Sequence, residues 1–167
     1  DQVRSGDPGN VEAQAARLYW SRTLGKGVGR QPAAGQLIGA NACLDYGYSV
    51  LRGHLMRAVL AAGLAPALGV FHRGRGNAFA LADDLIEPFR PAIDEVALDL
   101  PDTASPSDRE VKQLLVAAAS QRFDGDGHGI PAVAEALAQS FGRYVEGDID
   151  RLSVLSWQGP SVVGTGD

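Results

Sequence analysis

The sequence predicts an all-α, multi-helix fold in a single domain. Ala and Leu dominate its apolar residues, these recur at intervals of three and four, and Gly and Pro cluster between the periodic stretches. With 167 residues, 45% of them hydrophobic, the chain can bury one substantial core. We expect a linker over residues 1–9, the helical domain over 10–155 and a flexible tail over 156–167.

The first two predicted helices are separated by a glycine-rich loop. The first helix begins after Asn10 and ends near Leu24, because apolar residues keep helical spacing between these points. Residues 25–36 form the loop, whose alternate glycines do not follow a strand into a helix and therefore do not predict a nucleotide-binding fingerprint. A long helix, or two abutting ones, spans 37–62, and Gly63 ends it as a C-cap.

Later breaks follow proline and capping residues. A helix begins after Asn77, and the prolines at 88 and 91 should bend or interrupt it just after Glu87. The apolar pattern then continues to Leu100. A start signal at 105–110 opens the next helix, and the last clear helix runs from Pro131 to about Glu146.

The charge of the chain is unevenly distributed. The formal net charge is -5, yet residues 1–75 hold nine Arg/Lys against four Asp/Glu, whereas residues 76–167 hold six against sixteen. Phosphates are contacted by a local basic patch within a Debye length of about 10 Å, so the first half is compatible with nucleic acid. A single cysteine, Cys43, and the lack of an apolar run near the roughly 20 residues of a membrane span predict a cytoplasmic protein without a membrane partner.

A histidine and two carboxylates form a candidate metal site. His72 ends an apolar run, and Asp84 and Glu87 follow in the next predicted helix, three residues apart and therefore on one helical face. Glu12 lies in the first turns of the first helix. Spacing alone leaves a plainer interpretation open, in which these acids only complement helix dipoles and the histidine is an ordinary polar residue.

Four sequence blocks between residues 6 and 91 carry a family resemblance. They are Gly-Asp-Pro-Gly-Asn-Val-Glu-Ala-Gln-Ala-Ala-Arg (6–17), Asp-Tyr-Gly-Tyr-Ser-Val-Leu-Arg (45–52), Ala-Gly-Leu-Ala-Pro-Ala-Leu-Gly-Val-Phe-His (62–72) and Asn-Ala-Phe-Ala-Leu-Ala-Asp-Asp-Leu-Ile-Glu-Pro-Phe-Arg-Pro (77–91). In this order they resemble the helical catalytic domain of the CRISPR-associated endonuclease/integrase of the adaptation module, the Cas-one family, in its type II-like branch.

The resemblance implies a site and a reaction. Glu12, His72 and Glu87 would bind Mg²⁺ or Mn²⁺, and Asp84 would be a further catalytic carboxylate that joins or orients the ligand shell. The family cleaves DNA and inserts spacer DNA into a CRISPR array, in antiviral defence, by attack of a 3′-hydroxyl on a phosphodiester. One of Tyr46 and Tyr48 would approach the site. The expected DNA-contacting residues are Arg17, Arg22, Lys26, Arg30, Arg73 and Arg75.

The resemblance also implies partners. These are double-stranded and branched DNA, the second adaptation protein, Cas-two, and a second copy of the full-length protein in a homodimer. The family's N-terminal β domain is not expected here, because nothing strand-rich precedes the first helix. Two alternatives stay open: a helical phosphohydrolase of small phosphoesters, with a closed pocket instead of a basic groove, and a non-catalytic helical interaction module, in which the ligand side chains would not converge.

Residues 124–135 partly match a calcium-binding EF-hand loop. Asp124, Asp126, Gly129 and Glu135 stand at its first, third, sixth and twelfth positions. His128 stands at the fifth, where calcium prefers oxygen. We expect a plain turn between two helices here, with a second ion as the alternative.

Overall fold

The computed structural model describes residues 9–24, 30–32, 35–72, 74 and 76–159, with the side chain of Glu12 outside this description. The predicted linker, apart from Gly9, and the end of the predicted tail therefore lie outside the described residues. The described residues form six α-helices, one short 3₁₀ turn and no strand, which confirms the all-α prediction. An isolated antiparallel bridge pairs Arg122 with Gly129.

The helices follow the predicted order. They are α1 (Val11–Thr23), α2 (Gly39–Ala61), α3 (Ala80–Leu85), α4 (Arg90–Asp99), α5 (Arg109–Ala118) and α6 (Ile130–Glu146), and the 3₁₀ turn Glu87–Phe89 lies between α3 and α4. In the described ranges, no helix has the combination of length and apolar character that crossing a bilayer requires.

The central helix is α2, around which α3, α4, α5 and α6 pack. Its buried side chains, including Leu51, Leu55 and Val59, are fully enclosed by residues of α3, α4 and α6. A second cluster around Cys43 and Leu115 joins α2 to α4 and α5. The core is therefore continuous along α2, and α3 and α4, which flank the 3₁₀ turn that carries Glu87, pack against it.

The helices α2 and α4 approach closely because residue 47 is a glycine. A Cβ at Gly47 would lie only 2.5 Å from Cγ2 of Ile93, a fully buried residue of α4. This approach brings Tyr48 of α2 beside α4.

Glycine and proline end the helices where the sequence predicts. Gly63 follows α2 with φ +71°, and the amide of Leu64 donates to the Val59 carbonyl at 3.1 Å, which satisfies the end of the helix. Pro88 lies inside the 3₁₀ turn, so α3 ends at Leu85, slightly earlier than predicted. Asn77 is not the cap of α3; its Oδ1 accepts the Phe79 amide one residue before the helix begins.

In contrast to α2, the first helix lies mostly on the surface. Most of its side chains are exposed, Leu18 among them at 53%. Trp20 and Leu24 are partly buried against the second cluster, and the Arg30 guanidinium lies 5.9 Å from the centre of a Trp20 ring. Thus α1 is attached at its C-terminal half.

Candidate metal and DNA site

A cleft of about 590 Å³ opens between α1, α2 and the start of α4. Its lining residues are Ala15, Ala16, Tyr19 and Trp20 of α1, Tyr48 of α2, His72 and Glu87 of the connecting segments, and Arg90, Pro91 and Asp94 of α4. Two of the predicted metal ligands thus line the same cleft.

His72 is held in place by Asp84 of α3. The imidazole Nδ1 lies 2.6 Å from Oδ1 of Asp84, whose side chain is only 4% exposed. The same carboxylate accepts the backbone amides of Val70, Phe71 and His72. Burial alone would raise the pKa of Asp84, but these hydrogen bonds outweigh burial and hold its pKa below the usual range.

This contact fixes which imidazole nitrogen can bind a cation. An ionised carboxylate only accepts hydrogen bonds, so Nδ1 carries the hydrogen and Nε2 is the basic nitrogen. Metal-binding histidines commonly donate their second nitrogen to a carboxylate in this way. The arrangement orients the imidazole through Asp84, and Asp84 itself lines a separate cavity together with Val70 and Phe71.

Glu87 faces the cleft next to an arginine. Its carboxylate is 53% exposed and lies 3.0 Å from Nη2 of Arg90, one turn later. The Arg90 guanidinium also lies 4.9 Å from the centre of the Tyr48 ring, and its buried Nε has no hydrogen-bond partner among the described residues. The cleft therefore holds an exposed carboxylate paired with a partly exposed guanidinium, so a bound cation and a bound anion could each find a group of opposite charge there.

A buried carboxylate, Asp94, lies in the wall of the cleft at 4% exposure. The Tyr19 hydroxyl donates to its Oδ2 at 2.6 Å, and the Tyr48 hydroxyl donates to its Oδ1. Burial raises the pKa of Asp94, although the hydroxyls and the nearby arginines 90 and 30 oppose the rise. Burial and the Asp94 carboxylate also raise the pKa of each tyrosine above its usual range, so both hydroxyls stay protonated.

A second ion pair supports the segment that follows His72. Arg52 of α2 donates to Oδ1 of Asp83 at 2.5 Å and to Oδ2 at 3.1 Å, and Asn77 donates to Oδ2 at 2.7 Å. Burial would raise the pKa of Asp83, but these donors lower it below the usual range. Consecutive aspartates thus have separate tasks, since Asp83 ties α3 to α2 and Asp84 holds the segment 70–72.

Apart from Arg30, the remaining predicted site residues fall into three groups. Glu12 belongs to α1 by its backbone, three and four positions before the cleft residues Ala15 and Ala16, while its side chain is outside the described part. Arg17 and Arg22 are exposed on α1. Outside the described residues lie three further predicted DNA-contacting residues, which are Lys26, Arg73 and Arg75.

Arg30 differs from the expectation of a phosphate contact in a loop. Its side chain is 9% exposed, pairs with Asp45 at 2.5 Å and donates to Asn41 at 3.0 Å. Stacking near Trp20 and Tyr48 adds to this burial. The guanidinium is occupied by internal contacts because α2 presents an acid and an amide one turn apart, so Arg30 attaches its segment to α2.

The structure also identifies cleft residues that the sequence interpretation left out. Of the two tyrosines already named as candidates, both pack against the second cluster, and Tyr48 is the one among the described lining residues of the cleft. Arg90 and Asp94 follow Glu87 at intervals of three and four, a spacing that could have marked them as sharing its helical face. Tyr19 stands on an otherwise exposed helix and gave no comparable signal.

The loop after α5 forms a turn that leads into α6. The Phe123 amide donates to the His128 carbonyl at 2.8 Å, and α6 begins at Ile130. One ligand atom each from Asp124, Asp126 and His128 lies within 4.8 Å of the others, but Glu135, the twelfth-position ligand of an EF-hand, is not in this described group. The predicted turn is confirmed.

Comparison with known proteins shows which family the chain resembles. The family model for CRISPR associated protein Cas1 matches residues 9–111. The CRISPR-associated endonuclease Cas1 of Neisseria meningitidis serogroup C (strain 8013) is 46% identical over 99 residues, which are 59% of this chain and 31% of that relative. The CRISPR-associated endonuclease Cas1 2 of Pyrobaculum aerophilum is 28% identical over 139 residues, covering 80% of this chain and 46% of the relative.

A solved structure supports the fold. It is described as casposase bound to integration product, and it superposes with a TM-score of 0.74 at 19% identity, covering 92% of this chain and 51% of the other. The chain therefore spans about a third to a half of the proteins it matches. Since the family model covers more than half of the chain, and the four sequence blocks fall largely within its match, the protein belongs to the CRISPR associated protein Cas1 family.

Proposed function

We propose that the chain is the catalytic domain of a metal-dependent DNA endonuclease/integrase that inserts spacer DNA into a CRISPR array. The observation that carries the proposal is the cleft, lined in part by α1, that holds both His72, oriented by Asp84, and the exposed carboxylate of Glu87. Two Cas1 relatives are named endonucleases, and the similar solved structure is described as bound to an integration product. DNA is therefore favoured as substrate over a small phosphoester.

The donor set in the cleft fits a divalent cation. His72 offers Nε2, because Nδ1 donates to Asp84, and Glu87 offers a carboxylate in the same cleft. We propose Glu12, on the cleft-lining helix α1, as the third ligand. Carboxylate oxygens suit Mg²⁺ and Mn²⁺, and a single imidazole is well tolerated by Mn²⁺.

The reaction exchanges one phosphodiester bond for another. The oxygen of a DNA 3′-hydroxyl forms a bond to phosphorus, the bond from phosphorus to the 3′-oxygen of the target strand breaks, and that oxygen takes up a proton. Because the bond count is unchanged, no nucleoside triphosphate is needed. A divalent ion in the cleft would supply Lewis acidity at the scissile phosphate.

The protein side chains position the DNA. Asp84 keeps the imidazole in one orientation, and Arg90, whose side chain is 36% exposed in the cleft, can donate from its terminal guanidinium nitrogens to a non-bridging phosphate oxygen. Arg17 and Arg22 extend positive charge along the exposed side of α1. Lys26, Arg73 and Arg75 remain predicted phosphate contacts. We propose that the full-length protein acts as a homodimer with Cas-two on double-stranded and branched DNA.

Strand transfer on a branched DNA with Mn²⁺ tests the proposal. His72→Ala and Glu87→Ala should each lower the rate by at least about 100-fold, because each removes a cation ligand. The matched controls are His54→Ala, whose imidazole lies on α2 near Arg57 and Ser120, and Glu135→Ala on the exposed side of α6. Parent-like rates in both cleft variants would eliminate the proposed site.

A further inference from the structure

We infer that Asp94 is a positioning residue that docks α1 against the rest of the domain by accepting the hydroxyls of Tyr19 and Tyr48. In doing so it would set the distance between the ligand carried by α1 and the ligands His72 and Glu87. The inference rests on the proposed function, because it concerns how the same cation site is assembled.

The first argument is that α1 has little other attachment. Four of the seven helix residues from 14 to 20 are exposed apolar residues, namely Ala15, Ala16, Leu18 and Tyr19, and the last two are 53% and 40% exposed. The side chains of Val11, Ala13, Trp20 and Leu24 are partly buried, and Trp20 and Leu24 pack against the second cluster, where Arg30 covers a Trp20 ring. A helix with so few buried apolar contacts needs a specific polar contact to hold one orientation.

The second argument is that three helices meet at one carboxylate. Tyr19 comes from α1, Tyr48 from α2 and Asp94 from α4, and each oxygen of Asp94 accepts one hydroxyl. Only Tyr19 belongs to the weakly attached helix, while α2 and α4 are already packed through Gly47 and Ile93. The bond from Tyr19 is therefore the one that decides whether α1 is docked.

The third argument is register. Tyr19 stands seven residues after Glu12, and two turns of a helix return to nearly the same face. Asp94 stands seven residues after Glu87, across the 3₁₀ turn and the first turn of α4. The hydrogen bond between Tyr19 and Asp94 thus joins two segments, and each of its residues lies seven positions after a proposed ligand in its own segment. Loss of this bond would separate the two carriers without disturbing His72.

The consequence is a conformational contribution to cation affinity. When only a fraction of molecules has α1 docked, the apparent dissociation constant rises by the inverse of that fraction. A hydrogen bond to a charged acceptor shifts such an equilibrium by about 10- to 100-fold. We expect about 10-fold weaker Mn²⁺ binding for Tyr19→Phe, since Trp20 continues to hold part of the helix.

The test measures docking and cation affinity separately. Amide hydrogen exchange of residues 11–23 without metal reports docking, and electron paramagnetic resonance of free Mn²⁺ reports affinity. Tyr19→Phe and Asp94→Asn should both accelerate exchange in α1, leave α6 protected, and weaken Mn²⁺ binding. The double variant should be no worse than Asp94→Asn, because both changes remove one contact. The control Tyr144→Phe, at the far end of α6, should match the parent.

The two readouts distinguish the possible failures. Unchanged α1 exchange in the near-isosteric Tyr19→Phe would overturn the docking role, whatever Asp94→Asn does to stability. Faster exchange with unchanged Mn²⁺ affinity would overturn the positioning role alone. A parent protein that binds no Mn²⁺ would refute the proposed function, and the positioning role with it.

Discussion

The Asp84 carboxylate offers the sharpest test of how the cleft is built. In Asp84→Asn an NH₂ group replaces one of two oxygens, and each oxygen accepts two hydrogen bonds. Oδ2 accepts the amides of Val70 and Phe71, and Oδ1 accepts the amide and Nδ1 of His72. Whichever oxygen is replaced, two donors lose their acceptor and face another donor.

The size of the effect follows from this count. A hydrogen bond to a charged group contributes about 1.5–3 kcal/mol, so two of them would give about 3–6 kcal/mol if nothing relaxed. The segment 70–72 is exposed on its outer side and can turn its amides toward water. We therefore expect the free energy of unfolding to fall by about 3 kcal/mol. Cation affinity should fall about 10- to 100-fold, because the imidazole loses its orienting partner.

Urea denaturation and Mn²⁺ titration would measure both quantities. The control is Asp83→Asn, the same chemical change one residue earlier, where the hydrogen-bond donors are Arg52 and Asn77 and His72 acts on the carboxylate only through its charge. The control should lose stability with little change in Mn²⁺ affinity. Equal Mn²⁺ affinity in Asp84→Asn and the parent, with both proteins folded, would refute the role assigned to this carboxylate.

Two further changes test the same region. Gly69→Ala would place a Cβ 2.3 Å from the His72 carbonyl oxygen and 2.9 Å from Oδ2 of Asp84. Mn²⁺ binding measured by calorimetry should therefore weaken at least about 10-fold. The control Gly53→Ala, whose Cβ would have nothing within 4 Å, should only stabilise α2 by about 0.5–1 kcal/mol. Acid should also destabilise the fold: the lowered pKa values of Asp83 and Asp84 mean that their stabilisation is complete above about pH 4 and is lost as pH falls through their folded-state values. Urea midpoints from pH 5 to pH 2 check this, and Asp83→Asn should flatten the profile; an equally steep profile in that variant would contradict the assignment.

Local sequence patterns predicted the helices well because each break has a local chemical cause. The left-handed conformation at Gly63 and the missing amide of Pro88 act within one turn of the chain. Residue spacing did not predict which side chains share a face where a helix ends and the chain changes direction. Asp84 and Glu87 are three residues apart, but α3 ends at Leu85 and the 3₁₀ turn begins at Glu87, so Asp84 lines the cavity shared with Val70 and Phe71, whereas Glu87 lines the cleft.

Contacts between distant segments were harder to predict. The hydrogen bond from Tyr19 to Asp94 spans 75 positions, and nothing near Tyr19 marks it as more than a surface aromatic residue. Arg30 stands in a loop, and only the fold reveals that Asp45 and Asn41 occupy its guanidinium. The family resemblance identified the candidate ligands because it carries information about tertiary neighbours that periodicity lacks.

The support of Val70–His72 by one distant side chain has a consequence for sequence change. A strand or a helix restricts which residues it accepts. In the segment 70–72, by contrast, the backbone amides donate to the carboxylate of Asp84 on α3. The imidazole is therefore fixed through backbone amides and Asp84, and not through the side chains of Val70 and Phe71, which are 41% and 60% exposed. Mutagenesis libraries could randomise these two positions to alter the lining of the cavity that they share with Asp84, while the His72 imidazole stays where Asp84 holds it.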